Sequence, residues 1–436
     1  MIRILHFTRS PDKNKIYQIL HREISTREVF NKKEQARETV EQILTAVKER
    51  GDEALLECTS RFDGVKLTSN RLRISPKEIA TARRKVKKRS LNSMELIFQR
   101  LLDFHQRELP TPWMKIEEGV WLGKICFPLE RVGFYVPGGT APLVSSLMMV
   151  AAPAKVAGVK EIALCTPPGP RGEINPYLLA MADVLGITEI YRVGGAQAIA
   201  ALAYGTKTIS RVNKIVGPGN IYVVLAKKMV FGEVDIESIP GPSEVLIIAD
   251  ENANPAWVAA DLLAQAEHED YAVSLVLTPS ADLAQEVKKE ILQQIVTLSR
   301  KTIIEQSLKN QGAIIITRDL DQAVQAANVF APEHIELMVK NPLDILARIH
   351  NAGAIFLGNY SPVALGDYVA GPNHVLPTGG TARFFSPLGV EDFVKKSNII
   401  FTTSSGLGKM SSILNDIAGI EGLSAHQRSV HLRLQK

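Results

Sequence analysis

The sequence is poor in cysteine and lacks the spacings that disulfides and thiolate zinc sites need. Its 436 residues include three cysteines, Cys58, Cys126 and Cys165, and no C-x-x-C pair. This usage excludes a disulfide framework and fits a reduced compartment. The first residues also lack the apolar core of a signal peptide, so we expect a cytoplasmic protein.

Long apolar runs and nucleotide fingerprints are missing as well. No apolar stretch is long enough to cross a bilayer, so we expect no membrane partner. Neither the dinucleotide pattern G-x-G-x-x-G nor the phosphate-binding pattern G-x-x-x-x-G-K-[ST] occurs, so no single motif establishes a nucleotide cofactor. The net charge is a mild +5, and the basic run at residues 82–90 contains no aromatic residue. That run is typical of a solvated helix face, and we expect no nucleic-acid partner.

What the chain does contain is a regular alternation of short β-rich runs and helical runs. The pattern begins at Arg131 and continues in a second series to residue 357. Repeated β–α units predict parallel sheets with helices on their faces. Because 436 residues exceed one hydrophobic core, we predict an α/β fold with two Rossmann-like parallel-sheet domains. A helical N-terminal region precedes them, and a small helical C-terminal extension follows.

Three glycine-rich turns follow predicted strands of the first series. They are PGGT at residues 137–140, VGGAQ at 193–197 and GPGN at 217–220. Glycine lets the backbone approach a phosphate closely, and the helix that follows favours an anion at its N-terminus. Each turn alone is more simply a tight α/β connection. Three of them at one predicted sheet edge favour ligand binding there.

Four polar clusters in the second half of the chain could form one metal site. They are residues 265–268, 333–334 and 366–368, and Glu421 with His426. Gln265 and His268 lie three residues apart on a predicted helix and therefore share a face. Two ligands are too few for a tight zinc site, so Asp367 and His426 are the natural further donors. Each histidine taken alone is more commonly a hydrogen-bonded residue than a ligand.

The pair Glu333–His334 could carry acid–base chemistry. Pro332 precedes it and breaks any helix there. In a loop both side chains could enter one cleft, whereas in a strand they would point to opposite faces. A Glu–His pair can supply a general base and a general acid, and a surface ion pair is the alternative. The long segment 358–383 has little periodicity, which is typical of a functional loop and would place Asp367 in it.

Nine co-linear stretches from about Arg131 to the C-terminus resemble those of the histidinol dehydrogenases. Among them are ERVGFYVPGGTAP, VGGAQAIAALAYGT, KIVGPGNIYV, DLLAQAEH, APEHIEL, GDYVAGPNHVLPTGGTAR and EGLSAHQRSV. The resemblance implies oxidation of L-histidinol through histidinal to L-histidine, with reduction of two NAD⁺, as the last step of histidine biosynthesis. It also implies one zinc ion per subunit and a homodimer with shared active sites.

The same resemblance implies roles for individual residues. The zinc ligands would be Gln265, His268, Asp367 and, from the other subunit, His426. Glu333 and His334 would be the catalytic acid–base residues. The substrate would contact Ser243, Gln265, His268, His334, Asp367, Glu421 and His426, and NAD⁺ would contact Tyr135, Gln197 and Asn220.

The resemblance further implies how the chain is divided. A discontinuous first α/β domain would comprise residues 1–134 and 243–388, and a second would comprise residues 135–242. Residues 389–436 would form a dimerisation extension swapped between subunits. A relative that oxidises another small primary alcohol, a zinc hydrolase without NAD in which Glu333 activates water, and a non-catalytic binding protein stay open as alternatives.

Overall fold

The computed structural model describes residues 2–23, 27–138 and 143–435, and for residues 27–33 it describes the backbone alone. The strands are β1 (Arg3–His6), β2 (Trp113–Glu117), β3 (Val120–Pro128), β4 (Arg131–Tyr135), β5 (Glu161–Thr166), β6 (Glu189–Arg192), β7 (Lys214–Val216), β8 (Asp235–Ile236), β9 (Glu244–Ala249), β10 (Val273–Thr278), β11 (Ala313–Ile316), β12 (His334–Met338), β13 (Ala354–Leu357) and β14 (Val394–Thr402).

The helices cover much of the remaining chain. They are α1 (Ser10–Leu20), α2 (Arg27–Arg50), α3 (Asp52–Phe62), α4 (Ser69–Leu72), α5 (Pro76–Lys85), α6 (Lys88–His105), α7 (Val144–Ala157), α8 (Pro176–Val184), α9 (Gly195–Tyr204), α10 (Ile221–Val230), α11 (Pro255–Ala266), α12 (Ala281–Gln294), α13 (Lys301–Gln311), α14 (Leu320–Phe330), α15 (Pro342–Leu346), α16 (Val363–Tyr368), α17 (Ser404–Ile420) and α18 (Ser424–Leu434).

The first parallel sheet has the strand order β1-β11-β10-β9-β12-β13. Its central strands β9, β10 and β12 are buried along their whole length because both faces of the sheet are covered by helices. In β9, Val245 and Ile247 pack into one apolar cluster, while Leu246 and Ile248 pack into another on the opposite face. This alternation follows from the two-residue period of a strand. The sheet is therefore the centre of a helix–sheet–helix sandwich.

The second parallel sheet has the order β6-β5-β4-β7-β8. The chain order reverses between β4 and β7, which creates a crevice at the carboxyl ends of these two strands. Helices of the N-terminal region pack on the helices of this sheet: α2 contacts α9 and α10, α5 contacts α8, and α6 contacts α7. Gly51, with φ 56°, separates α2 from α3.

A third sheet is antiparallel and was not expected from the sequence. It has the order β14-β3-β2, and Val394 to Thr402 of β14 pair with Pro128 to Val120 of β3. The N-terminal region is therefore not entirely helical, and the C-terminal segment contributes a long strand besides its two helices. The helices α17 and α18 pack on each other, and α17 also contacts β14.

The predicted α/β class with parallel sheets is confirmed. The sequence predicts strands at residues 244–249, 273–278 and 354–357, and β9, β10 and β13 have these bounds. The predicted loop at residues 358–383 is partly helical, because α16 lies within it and carries Asp367. Of the helices that the structure describes, none combines the length and the apolar character that crossing a bilayer demands.

Candidate active site

The candidate acid–base pair lies at the amino-terminal edge of the first sheet. Glu333 immediately precedes β12, His334 is its first residue, and both side chains are buried. Nδ1 of His334 lies 3.4 Å from Oε2 of Glu333. The two side chains therefore lie beside each other, although His334 belongs to a strand and is not in a loop, because Glu333 lies just outside that strand.

Main-chain atoms of Glu244, the first residue of β9, hold both members of the pair. The amide of Glu244 donates to Oε2 of Glu333 at 2.8 Å. Nδ1 of His334 lies 2.9 Å from the carbonyl oxygen of Glu244. A carbonyl can only accept, so the proton of the neutral ring belongs on Nδ1 and Nε2 is the nitrogen that can accept one.

The free nitrogen of His334 faces Asp367, with Nε2 4.0 Å from Oδ1. Both residues line a cavity of about 1070 Å³, together with Glu237, Phe356 and His374. The carbonyl oxygen of Asp367 lies 2.9 Å from Nδ1 of His374, which fixes the end of α16. The cavity is large enough for a small substrate beside a cofactor.

The ionisation of His334 reflects these neighbours. Burial lowers the pKa of the imidazole, but the carboxylates of Glu333 and Asp367 and the carbonyl of Glu244 raise it to about 9. These neighbours therefore favour the ring with both nitrogens protonated. Occupation of the Asp367 carboxylate by a cation would remove part of this stabilisation and favour the neutral ring.

The predicted metal donors Gln265 and His268 lie at the C-terminal end of α11. Gln265 is buried, whereas the imidazole of His268 is exposed just beyond the helix. Among the described residues, no three His, Cys, Asp or Glu side chains converge on a common point. The predicted set contains three residues of these types, His268, Asp367 and His426, and within one chain the described structure does not bring them together. An amide oxygen, an imidazole and a carboxylate are donors that suit zinc.

Of the predicted metal and substrate residues, the described lining of this cavity includes His334 and Asp367 but not Ser243, Gln265, His268, Glu333, Glu421 or His426. Glu421 follows α17 and His426 belongs to α18, and both side chains are exposed. Neither is among the described residues that line the cavity. Within α17, Ile413 and Ile417 are 68% and 53% exposed, so the helix pair presents an apolar face to its surroundings.

Ser243, the remaining predicted substrate contact, lies just before β9. It is partly buried, and its amide donates to Oε1 of Glu269 at 3.4 Å. Its position next to Glu244 brings it to the same sheet edge as Glu333 and His334. The described residues thus bring Ser243, Glu333, His334 and Asp367 to one end of the first sheet.

The predicted cofactor residues lie at the carboxyl edge of the second sheet. Tyr135 ends β4, and its hydroxyl accepts from the amide of Gly195 at 3.1 Å. Gln197 is buried in the first turn of α9. Asn220 caps α10, since its Oδ1 accepts from the amides of Tyr222 and Val223. Burial raises the pKa of Tyr135 to about 12, so its phenol is neutral.

The glycine turns at this edge differ in what the structure describes of them. Gly139 and Thr140 of the PGGT turn lie outside the described residues. Gly217 of the GPGN turn has φ 125°, and a Cβ there would overlap the carbonyl oxygen of Tyr135. Only glycine therefore allows β4 and β7 to approach this closely.

Two ion pairs with buried carboxylates were missed by sequence reasoning. Lys227 and Glu237 pair with Nζ 2.6 Å from each carboxylate oxygen, and Oε1 of Glu237 also accepts from the amide of Gly217 at 2.9 Å. Arg22 pairs with Glu244. The partners of the second pair are separated by 222 residues, so no local pattern could have revealed it.

Comparison with known proteins gives one family across the chain. The family model for histidinol dehydrogenase matches residues 26–434. The chain is 51% identical to a histidinol dehydrogenase of Syntrophotalea carbinolica over 91% of this chain and 92% of that protein. It is 49% identical to one of Caldanaerobacter subterraneus over 99% of both chains. A crystal structure of histidinol dehydrogenase from Elizabethkingia anophelis superposes with a TM-score of 0.92 at 35% identity, covering 99% of this chain and 98% of that chain. The chain belongs to the histidinol dehydrogenase family.

Proposed function

We propose that this chain oxidises L-histidinol through histidinal to L-histidine, with two NAD⁺ as acceptors and one zinc ion per subunit. The observation that carries the proposal is the buried Glu333–His334 pair, whose free imidazole nitrogen faces Asp367 across the cavity. Family membership supplies the reaction, and this geometry supplies groups that can perform its proton transfers.

In the first oxidation, Nε2 of His334 takes the proton of the substrate hydroxyl. The hydrogen bond from Nδ1 to the carbonyl of Glu244 keeps the ring in the orientation that this transfer requires. In the second stage, Glu333 removes a proton from the water that adds to the aldehyde. Its Oε2 is anchored by the amide of Glu244, which leaves Oε1 for the water.

The metal and the cofactor have donors suited to each. Gln265, His268 and Asp367, with His426 of the partner subunit, would hold zinc. Bound zinc would orient the imidazole and amine of histidinol, and bound NAD⁺ would accept the hydride. Ser243 and the partner subunit's Glu421 would complete the substrate contacts. Glu421 suits the substrate amine because it is a carboxylate.

The proposed NAD⁺ contacts are Tyr135, Gln197 and Asn220. Their support is their position beside the first turns of α9 and α10, where main-chain amides favour the pyrophosphate. The neutral phenol of Tyr135 can donate a hydrogen bond to the cofactor. These contacts would bring the nicotinamide toward the cavity from the second sheet.

The proposal includes a homodimer in which the C-terminal extension is swapped. Its support is that Glu421 and His426 lie on an exposed helix pair with an apolar face, clear of the cavity of their own chain. An exposed apolar face of this kind is typical of a surface that is covered in the assembled protein.

The proposal also divides the chain into three parts. Residues 1–134 with 243–388 and residues 135–242 would form two Rossmann-like domains, and residues 389–436 would form the swapped extension.

The decisive experiment is an assay of purified protein with histidinol and NAD⁺, before and after chelation. We expect two reduced cofactors for each histidine formed, loss of activity with chelator and recovery with zinc. Oxidation of another small primary alcohol but not histidinol would assign a different substrate. Ester or amide cleavage without cofactor reduction would favour the hydrolase. A cytoplasmic location and the absence of nucleic-acid and membrane partners stay predictions, which cell fractionation and binding assays would check.

A further inference from the structure

One buried carboxylate that the proposed reaction does not use is connected to both of its acid–base residues. Glu244 is fully buried at the start of β9. Its main chain holds the side chains of Glu333 and His334, as described above. Its own side chain returns a bond to the same segment, because Oε2 accepts from the amide of Glu333 at 3.3 Å. Glu244 and Glu333 are thus joined reciprocally, each carboxylate accepting from the other's amide.

A buried carboxylate needs a compensating charge, and Arg22 supplies it. The guanidinium of Arg22 binds both oxygens of Glu244, with Nη2 2.9 Å from Oε2. Burial raises the pKa of Glu244, and Arg22 opposes that rise. Arg22 thereby favours the ionised carboxylate, whose oxygens can accept from the amides of Glu333 and of Gly379 at 3.2 Å. A protonated or amide side chain would turn one of these acceptors into a donor.

Arg22 also fixes the main chain that leads into the acid–base pair. Its Nη2 donates to the carbonyl of Phe330 at 2.9 Å and to that of Ala331 at 3.3 Å. The guanidinium lies over the ring of Phe330, 3.9 Å from the centroid. Ala331 has φ 52°, a left-handed conformation that a non-glycine residue adopts only when its surroundings impose it. Two residues later the chain reaches Glu333, so the contacts of Arg22 set where that side chain begins.

We propose that Arg22 and Glu244 are positioning residues for the Glu333–His334 pair. They act through that pair and do not contact the substrate. The inference rests on the proposed function, because it assigns Glu333 and His334 the proton transfers of that reaction. It adds that Arg22, which is far in sequence from the family's ligand-bearing motifs, helps to determine the rate of the proton transfers by Glu333 and His334.

The test compares Arg22→Gln, Arg22→Lys and Glu244→Gln with Arg3→Gln in the zinc-loaded enzyme. Arg3 is a matched control because it also ties the N-terminal segment to main-chain carbonyls, those of Asn310 and Gly312, at another place. We expect Arg22→Gln and Glu244→Gln to lower kcat by about 10- to 100-fold while zinc content and the KM for NAD⁺ are retained. Arg22→Lys keeps the charge without the bidentate geometry and should fall between Arg22→Gln and the wild type. Arg3→Gln should leave kcat within about twofold of the wild type.

Two further measurements separate positioning from a structural role. Guanidinium ion at millimolar concentration should raise kcat of Arg22→Ala, whereas methylammonium should not, because only the planar ion can bind both oxygens of Glu244. In a double-mutant cycle, Arg22→Gln should have little further effect once Glu333 is glutamine, since its action passes through Glu333.

The outcomes that overturn the inference are distinct from those that overturn the proposed function. Wild-type kcat in the Arg22 variants, or a loss that merely follows lowered zinc content and melting temperature, would refute the positioning role. The positioning role would also be refuted if Arg22→Gln lowered kcat by the same factor in the wild-type enzyme and in Glu333→Gln. If Glu244→Gln fails to fold, the Arg22 variants and the guanidinium experiment still test the positioning role. A wild-type protein that does not oxidise histidinol would instead refute the proposed function.

Discussion

The two parallel sheets carry their predicted site residues at opposite ends of their strands. In the first sheet, Glu244 and His334 begin their strands, so the polar cluster lies at the amino edge. In the second sheet, Tyr135 ends its strand and Asn220 follows one, so the glycine turns lie at the carboxyl edge. Helices end at the first edge and begin at the second. The end of a helix favours a cation and its beginning favours an anion.

The contrast shows how one architecture would serve a metal at one sheet edge and a dinucleotide at the other. The first edge is built from buried ionisable side chains whose charges compensate one another, as in Arg22 with Glu244. The second edge is built from main-chain amides and small residues that allow close approach, as at Gly217. Substitutions at the first edge should therefore change proton transfer or metal binding, and substitutions at the second should change cofactor binding.

The largest expected effect is at the first edge. Glu333→Gln keeps the size of the side chain but cannot take a proton from water. We expect kcat for histidinol to fall by about 10²- to 10⁴-fold, with the KM for NAD⁺ unchanged. Steady-state kinetics with zinc analysis of the same preparation checks this. A loss confined to the KM for NAD⁺ would contradict the separation of the two edges.

The next effect concerns the extension that belongs to neither sheet. His426→Asn should lower zinc affinity by ~10²-fold and abolish turnover at limiting metal, because one of the four proposed donors is lost. Mixing it with Glu333→Gln should restore activity on subunit exchange, since each heterodimer would regain one intact site. With equal amounts and free exchange we expect about a quarter of wild-type activity. Exchange verified by mass spectrometry without any recovery would argue that each site is built from a single chain.

A moderate effect is expected at the second edge. Gly217→Ala places a Cβ against the carbonyl of Tyr135, so the GPGN turn must shift. The KM for NAD⁺ should rise about tenfold with little change in zinc affinity. Gly232→Ala is the control, because Gly232 also has a positive φ, 104°, but a Cβ there meets no neighbouring atom within 4 Å among the described residues. If both variants bind NAD⁺ equally, backbone strain alone explains the effect.

The smallest effect concerns an uncompensated carboxylate beside the second edge. Burial raises the pKa of Asp63 from 3.8 to about 6, and its Oδ2 has no hydrogen-bond partner among the described residues. Asp63 therefore loses its proton at a lower pH in the unfolded chain than in the folded chain. Its ionisation begins to destabilise the fold as the pH rises above about 4, and the full destabilisation is reached above about 6. Asp63→Asn should raise the melting temperature at pH 8 by about 2–4 °C and leave it unchanged near pH 4. Equal shifts at both pH values would assign the effect to packing instead of charge.

Sequence reasoning succeeded where a local pattern determines the structure. The β-rich runs at residues 244–249 and 273–278 predicted β9 and β10, and the glycine turns predicted one edge of the second sheet. The antiparallel sheet was not predicted because β3 pairs with β14, and the residues that pair, such as Val120 and Thr402, are remote in sequence. The sequence also did not predict that the site residues of the first sheet lie at its amino edge. The residue pattern of a strand does not show which of its two ends carries functional residues.

The polar network shows the same limit at the level of single residues. Glu333 and His334 are predictable from the sequence because two chemically active residues are adjacent. The sequence predicts no role for Glu244, since its partner Arg22 comes from a segment without a motif. Charge compensation between distant residues leaves no periodic signal and becomes visible only in three dimensions.

The exposed helix pair of the C-terminal extension has a consequence for how the protein responds to dilution. If His426 is donated across subunits, then separating the subunits removes a metal donor, and removing the metal weakens the association of the subunits. By thermodynamic linkage the two equilibria shift each other by the same free energy. The zinc content of a stored sample would then depend on protein concentration as well as on free zinc, and chelators would act as dissociating agents.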